Sequence, residues 1–193
     1  MMLARESGLP VFRFDEHNQT GSTFASRYTW AIQSVFDAGF DRLITIGNDC
    51  PQLNVTQIRQ AASLIEEGEA VLGPTVDGGF YLLGLTKKDF NPEAFLGFSW
   101  NTDTVFEELS THLSVNKVSC KLLRKLADVD HMATLESLDL KMISDVRLRC
   151  LIRSVLRVSG WSVRNLSINI SQPVISNPHN KGSPLAFFQI FSA

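Results

Sequence analysis

The sequence predicts an α/β fold built on a mainly parallel, doubly wound sheet. Short apolar runs alternate with amphipathic helical patterns through residues 1–159. That alternation is how a parallel sheet covered on both faces reads in sequence. Glycines close two helical stretches, at Gly39 and Gly68, where helix stop signals belong. A polar break, Gly47-Asn48-Asp49, follows the apolar run Leu43 to Ile46. It falls at the carboxyl edge of a strand, where open α/β sheets bind ligands.

Taken in order, Met1 to Ser7 reads as the last turns of a helix, with Gly8 at the C-cap and Pro10 beyond it. Val11 to Phe14 is the first expected strand. A helix of under two turns is a poor opening element, so the sequence reads as starting inside an α/β unit. Ser22 to Ala38 carries Phe24, Tyr28, Ala31, Ile32, Val35 and Phe36 at helical spacing. Arg42 to Ile46 is the next strand. Asn54 to Glu67 is a helix with Asn54 and Gln57 placed as a capping box. Ala70 to Gly73 and Phe80 to Leu85 are strands separated by Asp77-Gly78-Gly79. Asn101 caps an expected helix to Leu113, and Val115 to Cys120 reads as a strand. Thr134 to Val158 is mostly helical.

Residues 1–159 are thus expected to form one α/β domain lacking its first βα unit. Residues 160–193 read as a loosely ordered tail, rich in Ser, Asn and Pro, with a short strand at Ser167 to Ile170. Phe187, Phe188, Ile190 and Phe191 are unusual for a solvated tail and point to docking on the body or a partner.

Bulk composition excludes several function classes. The length suits one domain with a sizeable core. A net charge of -2 carries no basic excess for nucleic acid, and no polybasic run marks a membrane surface. No apolar run approaches the roughly 20 residues of a spanning helix. The N-terminus has no signal-peptide core. Cys50, Cys120 and Cys150 form no CxxC pair, which argues against zinc or a disulfide framework. A reducing cytoplasm is the default compartment, and Cys50 reads as a small buried filler. The four histidines are not at metal-ligand spacing, and no GxSxG, P-loop or GxGxxG motif occurs.

Three polar breaks carry the candidate chemistry: Gly47-Asn48-Asp49, Gly73 to Tyr81, and Ala127 to His131. Asp49 and one of Asp128 or Asp130 supply two carboxylates from distant points in the chain. Magnesium is held by one or two carboxylates plus substrate phosphates, so the pair suits Mg2+ or Mn2+. Alternation in an extended segment sends Asp128 and Asp130 to opposite sides, and Asp130, nearer the turn, is preferred. Each aspartate equally suits helix capping or a turn. Gly78 and Gly79 permit a close backbone approach to a ligand or form a plain hairpin turn. Asp77 can orient or deprotonate an acceptor hydroxyl, or close that turn with its own side chain. Trp100 can stack on a sugar or fill the core. The helix start after Thr102 offers amides to an anion. Arg27 suits a phosphate or base, or an ordinary exposed helix position.

Several of these motifs occur together and in order. They are Gln19-x-Gly21 with Arg27, Gly47-Asn-Asp-Cys-Pro51, Leu72-Gly-Pro-x-x-Asp-Gly-Gly-Phe-Tyr-Leu-Leu-Gly84, Trp100-x-Thr102 and Asp128-Val-Asp130. Over roughly residues 10 to 140 the chain resembles a bacterial family of largely uncharacterised glycosyltransferase-A-like (GT-A) proteins. That family looks related to molybdenum-cofactor nucleotidyltransferases and to 2-phospholactate guanylyltransferase. The resemblance implies a nucleotide-diphospho-sugar transferase fold and favours Asp49 and Asp130 as metal ligands. It leaves the acceptor open, because one fold hosts many reactions. Related enzymes open with a strand and a Gly-rich basic loop that grips the nucleotide phosphates. Nothing upstream of Val11 matches that unit, so the fold is expected to be N-terminally incomplete and donor binding weak.

The leading expectation is a metal-dependent transferase acting on a nucleotide-activated sugar and a small acceptor. Asp49 and Asp130 hold the cation, and Asp77 is the catalytic candidate. Arg27, Gly78, Gly79, Trp100 and Thr102 bind substrate. Two alternatives stand beside it. One is nucleotidyl transfer from a nucleoside triphosphate to a small phosphorylated acceptor. The other is a non-catalytic remnant or binding protein of the same fold.

Overall fold

The computed structural model describes residues 6–14, 19–47, 49–129, 132–165 and 186–191. Strand β1 (Val11–Phe14) leads to helix α1 (Phe24–Asp37), strand β2 (Arg42–Ile46) and helix α2 (Val55–Glu66). Strands β3 (Ala70–Pro74) and β4 (Phe80–Thr86) follow, then helices α3 (Pro92–Gly97) and α4 (Val105–Val115). Strand β5 (Cys120–Leu122), helices α5 (Met132–Ser137) and α6 (Val146–Asn165), and strand β6 (Ala186–Phe191) complete the order.

Local chemistry explains the ends of these elements. Thr23 caps α1 and exchanges hydrogen bonds with Ser26, a reciprocal box. Asn54 and Gln57 do the same for α2, as the sequence predicts. The expected Asn101 cap does not form. Asn101 has φ 61, and α4 begins at Val105 behind Thr104. The helix also runs further, through Val115, and Lys117 turns the chain at φ 59, so the strand lies at Cys120–Leu122 rather than Val115 to Cys120. The long helix expected over 134–158 is broken. Asp139 accepts from the Lys141 amide and starts a 3-10 turn, and Asp145 accepts from the amides of Arg147 and Leu148 and starts α6. A short acidic side chain at such points competes with helix propagation.

The sheet has the order β1-β6-β2-β4-β3-β5. It is mixed rather than mainly parallel: among the described strands β3 and β5 pair in parallel and the other four pairings are antiparallel. Strands β1, β2, β3 and β5 share one direction, and β4 and β6 run against them. The alternation rule fails where no helix intervenes. Strands β3 and β4 form a hairpin through Asp77-Gly78-Gly79, with a register shift at Gly73 and Pro74.

The described parts of residues 160–193 depart from the loosely ordered tail expected, while the segment of Phe187, Phe188, Ile190 and Phe191 does join the body. Helix α6 continues to Asn165, and Ala186–Phe191 inserts between β1 and β2, pairing with both. A run of aromatic and β-branched residues is suited to such a position. The short strand expected at Ser167 to Ile170 lies outside the described residues.

Helices cover both faces of the sheet. On one face Ile32, Val35 and Phe36 of α1 pack with Leu43, Leu83, Leu85, Phe95 and Leu109. On the other, Ile58, Ala61 and Ile65 of α2 pack with Ile44, Val71 and Leu82. Leu138, Ile143 and Ile152 form a smaller cluster under α6. No helix among the described residues is long and apolar enough to cross a membrane.

Truncation after Asn165 removes the strand between β1 and β2. A net worth of roughly 1 kcal/mol per hydrogen bond predicts a loss of at least about 3 kcal/mol. Urea unfolding of the two lengths measures it, and equal midpoints would show that β6 contributes nothing to the folded body.

Candidate active site

The carboxyl end of β2 is the base of the main cleft. The Gly47 amide donates to the Tyr81 carbonyl at 2.8 Å, continuing the ladder with β4. Asp49 then folds back. A Cβ on Gly47 would lie 2.8 Å from the Asp49 carboxylate, so a larger residue there would displace that carboxylate. The Val129 amide donates to the Asp49 carbonyl at 2.9 Å, which ties the third polar break to the first. Asp49, Asp77 and Asp128 all line the cleft. Asp130, the preferred second ligand, lies outside the described residues, as do Asn48 and His131.

The β3–β4 hairpin forms one wall. One oxygen of Asp77 accepts from the Thr75 hydroxyl and from the Gly79 amide at 3.1 Å. This is the side-chain-closed turn that Asp-Gly chemistry favours. Gly79 faces the cleft. Gly78 has φ +92, and an added Cβ would meet the Asp103 carbonyl oxygen at 2.0 Å. The close approach that Gly78 permits is therefore to the protein's own backbone. Its carbonyl also accepts from the Phe106 amide at 3.2 Å.

Aromatic rings form the opposite wall. Trp100 packs 5.3 Å from Phe24, 5.0 Å from Tyr28 and 6.0 Å from Phe80, centroid to centroid. Its indole N–H donates to the Phe95 carbonyl at 2.6 Å, which fixes the ring plane. Trp100 packs on the core cluster, one of its two expected readings, and also borders the cleft. Thr102 lines the cleft and donates its hydroxyl to the Ser99 carbonyl.

Glu108 pins this loop by accepting from the Ser99 amide at 2.8 Å and the Thr104 hydroxyl at 3.0 Å. The Ser99 bonds hold its carboxyl below the ordinary value of 4.5. The start of α4 is a poor anion site. Its Phe106 amide is already bonded, and Glu107 and Glu108 occupy the first turn.

Sequence reasoning did not assign Phe24, Tyr28, Thr45, Phe80 or Tyr81 to the site, yet all five line it. The Tyr28 hydroxyl bonds Thr45 Oγ1 at 2.6 Å, and burial raises its pKa strongly. Tyr81 donates its hydroxyl to the Arg124 carbonyl at 3.0 Å and accepts from Gln57, and burial pushes its pKa up to about 12. Both tyrosines are neutral across the physiological range. A polar hydroxyl on the apolar stripe of α1, opposite a strand threonine, is the signal that was there to find.

Arg27 sits on α1 between Phe24 and Tyr28 but is not among the lining residues. Its Nε is buried without a hydrogen-bond partner among the described residues. Among the described residues the cleft lining carries three carboxylates and no Lys, Arg or His. Among the described residues no group of three or more His, Cys, Asp or Glu is placed to hold a metal ion. Magnesium takes one or two carboxylates beside substrate oxygens, and Asp49 and Asp128 are the described carboxylates on the side of the cleft tied together by the Val129–Asp49 bond.

A mixed sheet with helices on both faces and a carboxylate-lined cleft at the carboxyl end of β2 define the class of the protein as α/β with an open ligand edge. Residues 10–102 match the model of a family described as uncharacterized protein conserved in bacteria (DUF2064). The chain is also similar to a solved structure of a putative nucleotide-diphospho-sugar transferase from Desulfovibrio desulfuricans G20. The two share 27% identity with a TM-score of 0.65, over 76% of this chain and 63% of that one. The chain thus spans less than two thirds of that protein's length. No curated protein matches. The broad fold is that of the nucleotide-diphospho-sugar transferases.

Gly78→Ala places a side chain against the Asp103 backbone in a conformation that alone costs about 1–3 kcal/mol. We expect it to destabilise the protein by at least that much in chemical denaturation. A variant as stable as the parent would mean the hairpin and the 101–104 loop are not in contact.

The Glu108 carboxyl titrates below 4.5 in the folded state, so its contribution is complete above that value and is lost as pH falls through the lowered folded pKa. The parent is expected to lose loop order below pH 4.5, and Glu108→Gln to lack that acid step. Trp fluorescence across pH 3 to 7 reads both.

Proposed function

We propose that this cleft binds a nucleotide-activated sugar with a divalent cation and transfers the sugar to a small acceptor. The observation that carries the reading is the Val129–Asp49 backbone bond. It brings Asp128 and Val129 beside Asp49 at the carboxyl end of β2. Asp49 and Asp130 are the proposed ligands of Mg2+ or Mn2+, and Asp128 lines the same cleft as Asp49. A cation held there supplies the positive charge that a diphosphate leaving group needs.

The remaining roles follow from the two walls. Trp100 and Phe24 offer ring faces to the sugar. The Gly79 backbone and Thr102 border the same space. Asp77 is the proposed group that orients the acceptor hydroxyl. Its turn bonds hold the carboxylate in place, and that fixed direction is what positioning requires. Arg27, off the lining, is proposed to meet the outer part of the nucleotide. The relation to molybdenum-cofactor nucleotidyltransferases and 2-phospholactate guanylyltransferase belongs to this proposal, since nucleotidyl transfer uses the same carboxylates.

Because the lining is one-signed, nucleotide sugar binding is expected to require the cation. Calorimetric titration with a panel of nucleotide sugars, with and without Mg2+ or Mn2+, tests this. Asp49→Asn is expected to remove the metal dependence while leaving thermal unfolding within a few degrees of the parent. Release of a free nucleoside diphosphate marks glycosyl transfer, and pyrophosphate marks nucleotidyl transfer. Binding equally tight without metal would overturn the assignment of Asp49.

A further inference from the structure

The formal charge of the chain is unevenly placed. The sequence holds 18 basic and 20 acidic residues, but residues 146–193 hold six basic ones and no Asp or Glu. The first 145 residues therefore hold 12 against 20 and carry -8, while the last 48 carry +6. Four of those six cations, Arg147, Arg149, Arg153 and Arg157, fall within the first twelve residues of α6.

The helix buries one stripe and exposes the rest. Leu148, Ile152 and Leu156 pack on the small cluster with Leu138 and Ile143. Arg149 is taken up structurally, donating to the Ile143 carbonyl at 2.8 Å. Arg147, Arg153 and Arg157 are exposed and form no ion pair among the described residues. Residues four apart on a helix are surface neighbours. Arg153 and Arg157 make one such row. Arg147, Leu151 and Val155 make another, and Leu151 is 61% and Val155 41% exposed. Two like charges at that spacing destabilise a solvated helix, and an anionic surface reverses the sign. Leu151 and Val155 flank the outer face on the Arg147 side, across it from Arg153 and Arg157, and add an apolar contact that a purely ionic partner leaves unused.

We propose that the outer face of α6 is a docking surface for an anionic lipid bilayer, on which the helix lies parallel to the plane. Basic side chains beside an exposed apolar row are the features of an interfacial helix. No described helix is fitted to span a bilayer, so the contact is peripheral. The acidic remainder of the chain is repelled by the same surface, which orients the body away from it. This proposal is independent of the activity assigned to the cleft.

The test is co-sedimentation of the full chain with vesicles of phosphatidylcholine alone or with one quarter phosphatidylglycerol, near 0.1 M salt. Binding is expected to the anionic vesicles only and to fall at 0.5 M salt. Each arginine near such a surface is worth about fivefold, so R147Q/R153Q/R157Q is expected to lower partitioning about a hundredfold. The lysine counterpart retains it. L151S/V155S is expected to lower it several-fold while leaving the salt dependence intact. All of these side chains are exposed, and circular dichroism checks that each variant folds. Equal partitioning to neutral and anionic vesicles, or none to either, would overturn the proposal. So would salt-dependent binding to duplex RNA, without binding to anionic vesicles, that L151S/V155S leaves unchanged, since that is the behaviour of a nucleic-acid surface.

Discussion

The tip of the β3–β4 hairpin holds three chain segments at once. Its own turn is closed by Asp77 on Thr75 and Gly79. The Val76 amide reaches the Leu126 carbonyl at 3.0 Å and so fixes the segment leading to Asp128. Gly78 takes the Asp103 backbone where a side chain would stand and accepts from Phe106, which fixes the loop carrying Trp100 and Thr102. A single five-residue turn therefore sets the distance between the acidic and aromatic walls of the cleft. Backbone groups buried at such a junction need partners, and here each segment supplies one to the next.

The walls differ in how their positions are held. On the aromatic side, direction comes from packing and from the Trp100 bond to Phe95. On the acidic side it comes from backbone bonds, with Gly47 leaving room for Asp49. Tyr28 and Tyr81 bridge the two arrangements as neutral side chains. Their hydroxyls are spent on Thr45 and on Arg124, so they stiffen the floor of the cleft. A site with carboxylates on one side and ring faces on the other discriminates by charge as well as shape.

Much of the framework was legible because its signals are local. The boundaries of β1, β2 and α2, the Asn54 cap and the hairpin at Asp77 follow from capping and turn chemistry within a few residues. Strand direction was not legible. It depends on which strands meet: β4 follows β3 by a hairpin with no helix between, and β6 runs against both of its neighbours although helices precede it. The site was half legible. Asp49, Asp77 and Gly79 stand at polar breaks, Trp100 and Thr102 in the stretch before a helix, and all five line the cleft. Phe24, Tyr28 and Phe80 look like core residues in sequence, because a residue that both packs and borders a cleft has the periodicity of packing alone. Gly78 shows the converse, a motif glycine whose close neighbour is backbone.

The place of β6 bears on how the molecule is assembled in time. Val11 pairs with Gln189, and Arg42 with Phe191, so the interior of the sheet joins early residues to late ones. Pairings of such sequence separation form slowly, because the loop must close before any contact rewards it. Until then β1 and the near side of β2 are strand edges with unpaired backbone groups, a known template for association between chains. During synthesis at about 5–20 residues per second, these edges wait many seconds for their partner. The same insertion that completes the sheet makes its last strand a timer for chaperone need.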